Sequence, residues 1–383
     1  MGFDITPLAG QRTGVGNYCY YLLKHLLRLS DSLGADGSDR LRSDGCRVTG
    51  FSASLTPPRL DGFESLPCRR LKIPTRALYK SWEWFRLPRI ESLIPGIDVY
   101  HATNYFLPPA RSARRVVTFH DLAFIRHPEL CSPKISGMFA RNAARFAREA
   151  DAVIACSEST RADTIELLGA DPAKVVVAYE AVDEDFKPVE RAEAAGKLDL
   201  LYGIRQPFLL FVGTIEPRKN LGALVQAFAQ IAKEIPHTLV LAGGPGWNSL
   251  PVFKSIDQLG LRDRVVCTGF VSNHSDLAWF YSAADLFVFP SLYEGFGLPL
   301  LEAMTCGCPI AASKTSSIPE VAGAAALYFD PASPDDIAAS IKKLLEDAPM
   351  RYSLVARGLV QAEKFSWQDC ARTTFDVYKR VAG

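Results

Sequence analysis

The sequence lacks the features that mark membrane-spanning, secreted and nucleic-acid-binding proteins. No apolar run in the 383 residues reaches the ~20 needed to span a bilayer. The first residues do not show the charged start, apolar run and small-residue cleavage site of a signal peptide. Lys and Arg total 43 against 42 Asp and Glu, so the net charge of +1 gives no overall positive field for nucleic acid. We therefore expect a cytoplasmic protein without a nucleic-acid partner.

Metal-binding and phosphate-loop motifs are also missing. The nine cysteines form no CxxC pair, and the CxC of Cys306 and Cys308 has no second ligand pair nearby, which argues against zinc. The acidic run at residues 183–185 lies in a polar stretch that is typical of a turn. No P-loop occurs. The sequence predicts reduced thiols, as in a cytoplasm, and no metal or other cofactor.

Short apolar runs alternate with longer amphipathic stretches along the whole chain. The runs do not alternate in polarity, which is typical of strands buried on both faces in parallel sheets. Amphipathic helices are predicted at residues 18–29, 221–232, 276–283 and 334–346. The chain is thus predicted to be α/β. The predicted strands are 2–6, 48–51, 116–119, 152–155 and 175–178, then 208–212, 238–242, 265–268, 286–289, 310–312 and 327–329.

A polar, charged stretch at residues 182–201 divides the chain into two halves of five or six strands each. That is the size of one doubly wound domain. We predict an N-terminal Rossmann-like domain over 1–185 and a C-terminal one over 186–364. A last helix, within 365–383, is predicted to pack back on the first domain.

The clearest chemical signal is the stretch 290–302, where a buried strand runs into a glycine-rich turn and then a helix. Glycines let a ligand approach the backbone closely, and the first N–H groups of a helix can meet ligand oxygens. Two carboxylates beside such a turn suit a polyhydroxylated ligand. A helix-capping turn with solvated acids is the alternative. The residues concerned are Glu294, Phe296, Gly297, Leu298 and Glu302.

A second signal is the stretch 213–220, in which Arg218 and Lys219 follow a buried strand and precede a helix. Cations beside a helix N-terminus form an anion site, and a diphosphate is the obvious anion. The alternative is a solvated basic pair. The position directly after a buried strand favours the anion site.

The stretch 13–18 places Gly14 and Gly16 before an amphipathic helix. It is a poor dinucleotide fingerprint, since Cys19 stands where the third glycine belongs. A flexible loop near an anion is the interpretation that we keep.

His120, followed by Asp121, ends another buried strand. A lone histidine is more often structural than catalytic, but its place at a strand end favours an active-site role.

Residues 69–89, here called the basic–aromatic segment, interleave Arg and Lys with Trp82, Trp84 and Phe85. This composition suits an anionic membrane surface, which would make the protein peripheral on the inner face of the membrane. The alternative, which we favour, is a basic helix with its aromatic face in the core.

The sequence resembles retaining glycosyltransferases of family 4 in an ordered set of motifs. In chain order these are TGVGNY, HATN, TFHD, CSEST, GTIEPRKN, LAGGPGW, TGFV, the pair of glutamates eight positions apart and IPEVAGAAALYFDP. The resemblance covers nearly the whole chain. It implies the GT-B fold, in which two doubly wound Rossmann-like domains face a central cleft. The chain is most similar to bacterial transferases of O-antigen and exopolysaccharide assembly, many of which use GDP-mannose.

The resemblance also implies a role for each candidate residue. Such enzymes take a nucleotide-sugar donor (GDP-mannose, otherwise a UDP-sugar) and a glycan or lipid-linked acceptor, and need no metal. One departure is Thr214, which stands where many members carry Arg. The implied roles are catalysis and diphosphate neutralisation for His120, Glu294, Lys219 and Arg218, and donor binding for Gly14, Gly16, Phe270, Val271, Phe296, Gly297, Leu298 and Glu302.

Two other functions fit the same fold. A nucleotide-sugar epimerase would release free nucleotide without an acceptor, and a non-catalytic glycan-assembly subunit would do no chemistry. The presence of Glu294, Glu302, Arg218, Lys219 and His120 argues against the second.

Overall fold

In the computed structural model, which describes residues 1–10, 14–32 and 47–383, the chain forms two compact units. Unit 1 comprises Met1–Arg126, Pro133–Glu180 and Ser366–Gly383, and unit 2 comprises His127–Ser132 and Ala181–Phe365. The predicted boundary at residues 185/186 therefore falls too late, because Ala181 already belongs to unit 2. The prediction also missed that residues 127–132 leave the first unit.

The elements alternate along the chain as the apolar runs predicted. The described strands are β1 (Gly2–Asp4), β2 (Thr49–Ala53), β3 (Cys68–Leu71), β4 (Val99–Ala102), β5 (Arg114–Phe119), β6 (Ala152–Ala155), β7 (Val175–Val177), β8 (Phe208–Val212), β9 (Thr238–Ala242), β10 (Val265–Gly269), β11 (Leu286–Phe289), β12 (Ile310–Ser313) and β13 (Ala326–Phe329). The described α-helices are α1 (Gly14–Ser32), α2 (Thr75–Trp84), α3 (Ile90–Leu93), α4 (Ala123–Arg126), α5 (Pro133–Glu149), α6 (Glu158–Leu168), α7 (Arg191–Tyr202), α8 (Leu221–Ile231), α9 (Leu250–Gln258), α10 (Leu277–Ala283), α11 (Leu298–Thr305), α12 (Ile318–Ala322), α13 (Pro334–Glu346), α14 (Ala348–Ala362) and α15 (Trp367–Ala382).

Unit 1 is built on a seven-stranded sheet in the order β3-β2-β1-β4-β5-β6-β7, and every pairing in it is parallel. Strands β4 and β6 are buried along their whole length, and this burial explains why β6 is apolar throughout. The order reverses between β1 and β4, so their outgoing connections diverge there.

The last helix, α15, belongs to unit 1 although it follows the second sheet in sequence. The Ser366 side chain caps it by accepting the Asp369 N–H. Trp367 in its first turn is buried and stacks on Tyr21 of α1, with ring centroids 5.5 Å apart. The amphipathic pattern at the chain end thus buries its apolar face on α1.

Unit 2 contains a six-stranded parallel sheet in the order β10-β9-β8-β11-β12-β13. This is the doubly wound order, with the reversal between β8 and β11. Both units are therefore Rossmann-like, and the predicted α/β class is confirmed. Among the described residues, no helix is both long and apolar enough to cross a bilayer.

Candidate active site

The reversal of strand order between β8 and β11 in unit 2 brings two predicted motifs to one place. β8 ends at Val212 and leads to Arg218 and Lys219, whereas β11 ends at Phe289 and leads to Glu294. In open parallel sheets, ligands bind outside the carboxyl ends of the strands where the order reverses. The two motifs therefore meet where such a sheet offers a ligand crevice.

Arg218, Lys219, Glu216 and Glu294 form what we call the ion cluster. Lys219 Nζ lies 2.5 Å from Glu294 Oε1, and an Arg218 guanidinium nitrogen lies 2.6 Å from Glu294 Oε2. Arg218 also lies 3.0 Å from Glu216 Oε1 and donates to the Tyr293 carbonyl at 2.9 Å. Two cations are thus balanced by two carboxylates, and both oxygens of Glu294 contact a cation.

Burial and charge act on Glu294 in opposite directions. Its side chain is buried, which alone would raise its pKa, but Arg218 and Lys219 outweigh burial and lower the pKa to about 2. Burial lowers the pKa of Lys219, although Glu294 opposes this shift. Glu294 is therefore ionised at neutral pH, and its charge holds two cations in place.

Two serines outside the predicted motifs hold the loop that carries Glu294. Ser316 Oγ accepts the Glu294 N–H at 2.8 Å, and Ser317 Oγ lies 3.0 Å from the Glu294 carbonyl oxygen and 2.8 Å from that of Phe296. Ser316 has a φ of +50°, which is uncommon for a residue other than glycine. Such backbone outliers cluster at functional sites. The polar run after β12 was the available sequence signal for these serines.

Glycines let the loops after β8 and β9 touch. A Cβ on Gly243 would lie 1.9 Å from the Gly213 carbonyl oxygen, so only glycine fits there. A Cβ on Gly246 would lie 2.5 Å from Thr214 Cγ2. The Thr214 side chain thus lies against a glycine of the neighbouring loop, at the place where many members of the resembled family carry Arg.

Glu302, in α11, is buried and has partners for both carboxylate oxygens. Tyr281 OH donates to Oε2 at 2.7 Å, and His274 Nε2 lies 3.5 Å from Oε1. Burial raises the pKa of Glu302 despite these partners. The His274 ring packs edge-on against Phe186, with centroids 5.0 Å apart. Sequence reasoning singled out neither His274 nor Tyr281, and a ribose at Glu302 would have to share the carboxylate with them.

The predicted glycine-rich turn leads into α11. Gly297 has a φ of +105° and directly precedes Leu298, the first residue of the helix. Phe296 is buried, and its ring packs against Phe365 at 5.7 Å. The left-handed conformation of Gly297 lets the chain turn sharply between the buried Phe296 and the start of α11.

The loop after β10 presents one aromatic ring to solvent. Phe270 is 49% exposed, whereas Val271 is buried. A Cβ on Gly244 would lie 3.5 Å from the Phe270 Cβ, so the loops after β9 and β10 are in contact. An exposed ring at the carboxyl end of a strand suits stacking on a nucleotide base.

In unit 1, His120 follows β5 and is buried. Its Nε2 lies 2.8 Å from the Thr103 carbonyl oxygen, and Nδ1 lies 3.4 Å from Glu180 Oε1. A carbonyl only accepts, so Nε2 carries the hydrogen. The Cys156 thiol donates to the His120 carbonyl at 2.8 Å. The partners that hold the His120 ring all belong to unit 1. Glu180 was not predicted as one of them, because the sequence does not show which acidic side chains are buried.

Gly14 and Gly16 lie in the first turn of α1, not in a loop before it, because the helix begins at Gly14. Gly14 is exposed and Gly16 is buried. The rest of the predicted loop, residues 11–13, lies outside the described residues. Any close approach of a phosphate would therefore be to the helix N-terminus itself.

The basic–aromatic segment is only partly a core helix. It includes the edge strand β3 and the helix α2, whose Trp82 is buried as the core interpretation expected. Trp84 and Phe85 contradict that interpretation, since they are 65% and 70% exposed. Trp84 is the last residue of the helix, and Phe85 directly follows it.

No group of three or more His, Cys, Asp or Glu in the described part of the chain has the arrangement of a metal site. The ion cluster brings two cations, Arg218 and Lys219, to one place where an anionic ligand could bind.

Two family models match the sequence. "Glycosyltransferase Family 4" matches residues 36–186, and "Glycosyl transferases group 1" matches residues 203–359. One match thus falls mainly in unit 1 and the other in unit 2.

Two relatives from Escherichia coli are mannosyltransferases. The O-antigen chain mannosyltransferase B is 35% identical over 283 residues, which cover 73% of this chain and 74% of that protein. The serotype-specific mannosyltransferase WbdA is 34% identical over 275 residues, or 70% of this chain but only 34% of WbdA. The chain thus spans about a third of WbdA.

Among solved structures, the sucrose-phosphate synthase from Thermosynechococcus elongatus has a similar fold. Its TM-score is 0.74 at 22% identity, and the match covers 99% of this chain and 98% of that one. At this identity the likeness shows the fold alone, which is the predicted GT-B fold of two Rossmann-like domains.

Proposed function

Because this chain belongs to glycosyltransferase family 4, the glycosyl transferases group 1, we propose that it transfers mannose from GDP-mannose to a glycan or lipid-linked acceptor in polysaccharide synthesis. A UDP-sugar is the alternative donor. The proposed reaction takes place in the cytoplasm, retains the anomeric configuration and uses no metal. The choice of mannose is supported by the two mannosyltransferase relatives.

The ion cluster is the observation that carries this proposal. A leaving nucleoside diphosphate develops negative charge, and preorganised cations in a buried site stabilise that charge far better than cations in water. Arg218 and Lys219 are preorganised in this sense, because Glu294 holds both at 2.5–2.6 Å. Lys219 is buried and has three N–H donors, of which one bonds Glu294. Its other donors suit phosphate oxygens.

In the proposed mechanism, the bond between the anomeric carbon and the β-phosphate oxygen breaks. The acceptor oxygen bonds the same face of the sugar, and its proton passes to an oxygen of the leaving diphosphate. Glu294 is not a nucleophile in this mechanism, because both oxygens of its carboxylate are ion-paired with Arg218 and Lys219. His120 would contact the transferred sugar.

The remaining predicted residues would bind the donor. Glu302 would accept ribose hydroxyls, and the backbone at Phe270 and Val271 would frame the base. The helix N-termini would meet the phosphates, at Gly14 and Gly16 in α1 and at Phe296, Gly297 and Leu298 before and in α11.

The test is a transfer assay with a donor panel of GDP-mannose, UDP-glucose and UDP-N-acetylglucosamine, each with and without chelator. Oligomannosides and a polyprenyl-diphosphate-linked glycan serve as acceptors. The expected result is one added hexose from GDP-mannose, at the same rate in chelator. Release of GDP with an altered free sugar would instead indicate an epimerase, and a strict need for manganese or magnesium would contradict the metal-free mechanism.

The stereochemistry is tested separately. Product NMR should show the α-anomer that GDP-mannose already has. Inversion would contradict the mechanism, and so would a glycosyl adduct on Glu294 after incubation with a fluorinated donor.

The exposed end of the basic–aromatic segment is proposed to contact an anionic membrane that holds the acceptor. Trp84, Phe85 and Leu87 are 55–70% exposed, and Lys80 Nζ lies 5.7 Å from the Trp84 ring. Exposed aromatics beside cations suit the interface of an anionic leaflet. Sedimentation should show binding to phosphatidylglycerol vesicles that W84A/F85A loses and that Y352A, a 76% exposed site in unit 2, keeps. Equal binding to phosphatidylcholine vesicles would contradict the proposal.

A further inference from the structure

A buried carboxylate that no sequence motif indicated lies beside His120. Glu180 follows β7, is only 5% exposed, and its Oε1 lies 3.4 Å from His120 Nδ1. Among the described residues, His120 is the only Lys, Arg or His that forms an ion-pair contact with Glu180. The pair lies wholly within unit 1.

Three weak acids from other elements interact with Glu180, and Asp121 is a second carboxylate that acts on one of them, Cys156. Burial costs an ionised carboxylate much of its hydration unless a partner compensates. The acids that face Glu180 are Tyr18 from α1, Cys156 after β6 and Cys370 from α15. Burial raises the pKa of all three, and the Glu180 charge raises it further, so they are neutral at neutral pH. His120 is thus the basic side chain that the Glu180 carboxylate contacts in the described part of the chain.

The rest of the His120 ring is already fixed. Nε2 donates to the Thr103 carbonyl at 2.8 Å, and the Tyr18 ring packs edge-on at a centroid distance of 4.7 Å. The Cys156 thiol and the Thr160 hydroxyl both contact the His120 carbonyl oxygen. Of the two ring nitrogens, Nδ1 is the one that contacts a carboxylate in the described structure. A carboxylate on one side of an imidazole fixes the orientation of the ring and changes its electrostatics.

We propose that Glu180 is a positioning residue for His120, which it orients through the contact with Nδ1. This proposal rests on the proposed function, in which His120 contacts the transferred sugar. The 3.4 Å contact is long for a hydrogen bond, and contacts of this kind tighten when substrate binds.

The chemical benefit arises in the transition state. As the diphosphate leaves, the sugar ring gains positive charge. A His120 ring that Glu180 holds in one orientation meets this sugar in a fixed geometry, whereas a ring released by the loss of the carboxylate does not. Loss of the Glu180 charge should therefore lower kcat and leave donor binding nearly unchanged.

The experiment compares E180Q and E180D with the wild type. E180Q should lower kcat by about tenfold to a hundredfold, as is typical when a supporting carboxylate is lost, with the donor KM within about twofold. E180D should restore part of the rate. The matched control is E166Q, which removes an exposed carboxylate of the same unit that pairs with Arg126, and which should keep wild-type kcat.

A second readout does not depend on activity. The nitrogen-15 NMR signal of His120 Nδ1 should move in E180Q and stay unchanged in E166Q, because Nδ1 is the ring nitrogen that contacts Glu180. A folded E180Q with wild-type kcat and an unchanged Nδ1 signal overturns the proposal. If the wild type transfers no sugar, the proposed function fails, and the Nδ1 signal still decides whether Glu180 contacts the ring.

Discussion

Replacement of Glu294 by Gln should destabilise unit 2 and at the same time strengthen its response to diphosphate. The substitution keeps the shape of the side chain but removes the one carboxylate that, among the described residues, contacts both Arg218 and Lys219. Breaking a buried ion pair on one side is costly, because the remaining charges lose their compensation.

The magnitude follows from the pKa of Glu294, which falls from the usual 4.5 to about 2. Because the folded value is lower, this group stabilises the fold above pH 4.5, and the contribution disappears as the pH falls towards 2. The difference corresponds to about 3 kcal/mol at neutral pH. E294Q should lose about this amount at pH 7 and should converge with the wild type near pH 2–3.

Urea denaturation from pH 2.5 to 7, followed by tryptophan fluorescence, measures the loss. The control is E234Q, which removes the partner of Lys342 on the surface of the same unit and should cost about 0–1 kcal/mol. Inorganic diphosphate should raise the melting temperature of E294Q more than that of the wild type, since it can replace the missing anion. If E294Q is as stable as E234Q at pH 7, the Glu294 carboxylate does not stabilise the fold by the expected amount of about 3 kcal/mol.

Two further predictions concern other charged groups. K219A should lower kcat/KM by about 100-fold to 1,000-fold, because a cation preorganised for the leaving diphosphate acts mainly on the chemical step; wild-type activity in a folded variant would refute this role. In unit 1, Glu91 Oε1 accepts the N–H groups of Arg111, Ser112 and Ala113 at 2.7–2.8 Å. Burial opposes these bonds, but together they lower the Glu91 pKa to about 2. E91Q should therefore cost about 1–3 kcal/mol at pH 7, and its difference from the wild type should shrink below pH 4.5, which urea titrations at both pH values would show. A constant difference across this range would contradict the assignment.

The central strands could be predicted because burial on both faces leaves an apolar run in the sequence. The predicted strands 208–212, 238–242 and 286–289 coincide with β8, β9 and β11. The edge strand β3 could not be found in this way. It carries two arginines and is half exposed, so its residues show neither an apolar run nor alternation. Nor does any local pattern indicate that Trp82 is buried whereas Trp84 is exposed.

The candidate site could be predicted only as far as strand ends point to it. Arg218, Lys219 and Glu294 stood out because each follows a buried strand. That Glu294 binds both cations was not predictable, since Lys219 and Glu294 are 75 positions apart and each has a plausible ligand of its own. Glu180 and Ser316 were missed because their importance depends on burial and on a backbone angle, which no local pattern records.

A polar network of unit 1 and the ion cluster of unit 2 differ in charge, and this difference has a physical consequence. In unit 1, Thr118 bonds both His101 Nε2 and Tyr18 OH, and His101 Nδ1 bonds Tyr378 OH at 2.6 Å. Burial, and then the neighbouring His120, lower the pKa of His101 to about 3, so this network is neutral at pH 7. A neutral network fixes the end of β5 without a field that would repel or trap an anion. The ion cluster of unit 2 works differently, because its cations keep Glu294 as a partner while the remaining N–H donors of Lys219 can meet phosphate oxygens. The buried cations therefore lose their hydration when the protein folds. Diphosphate binding does not require this desolvation again.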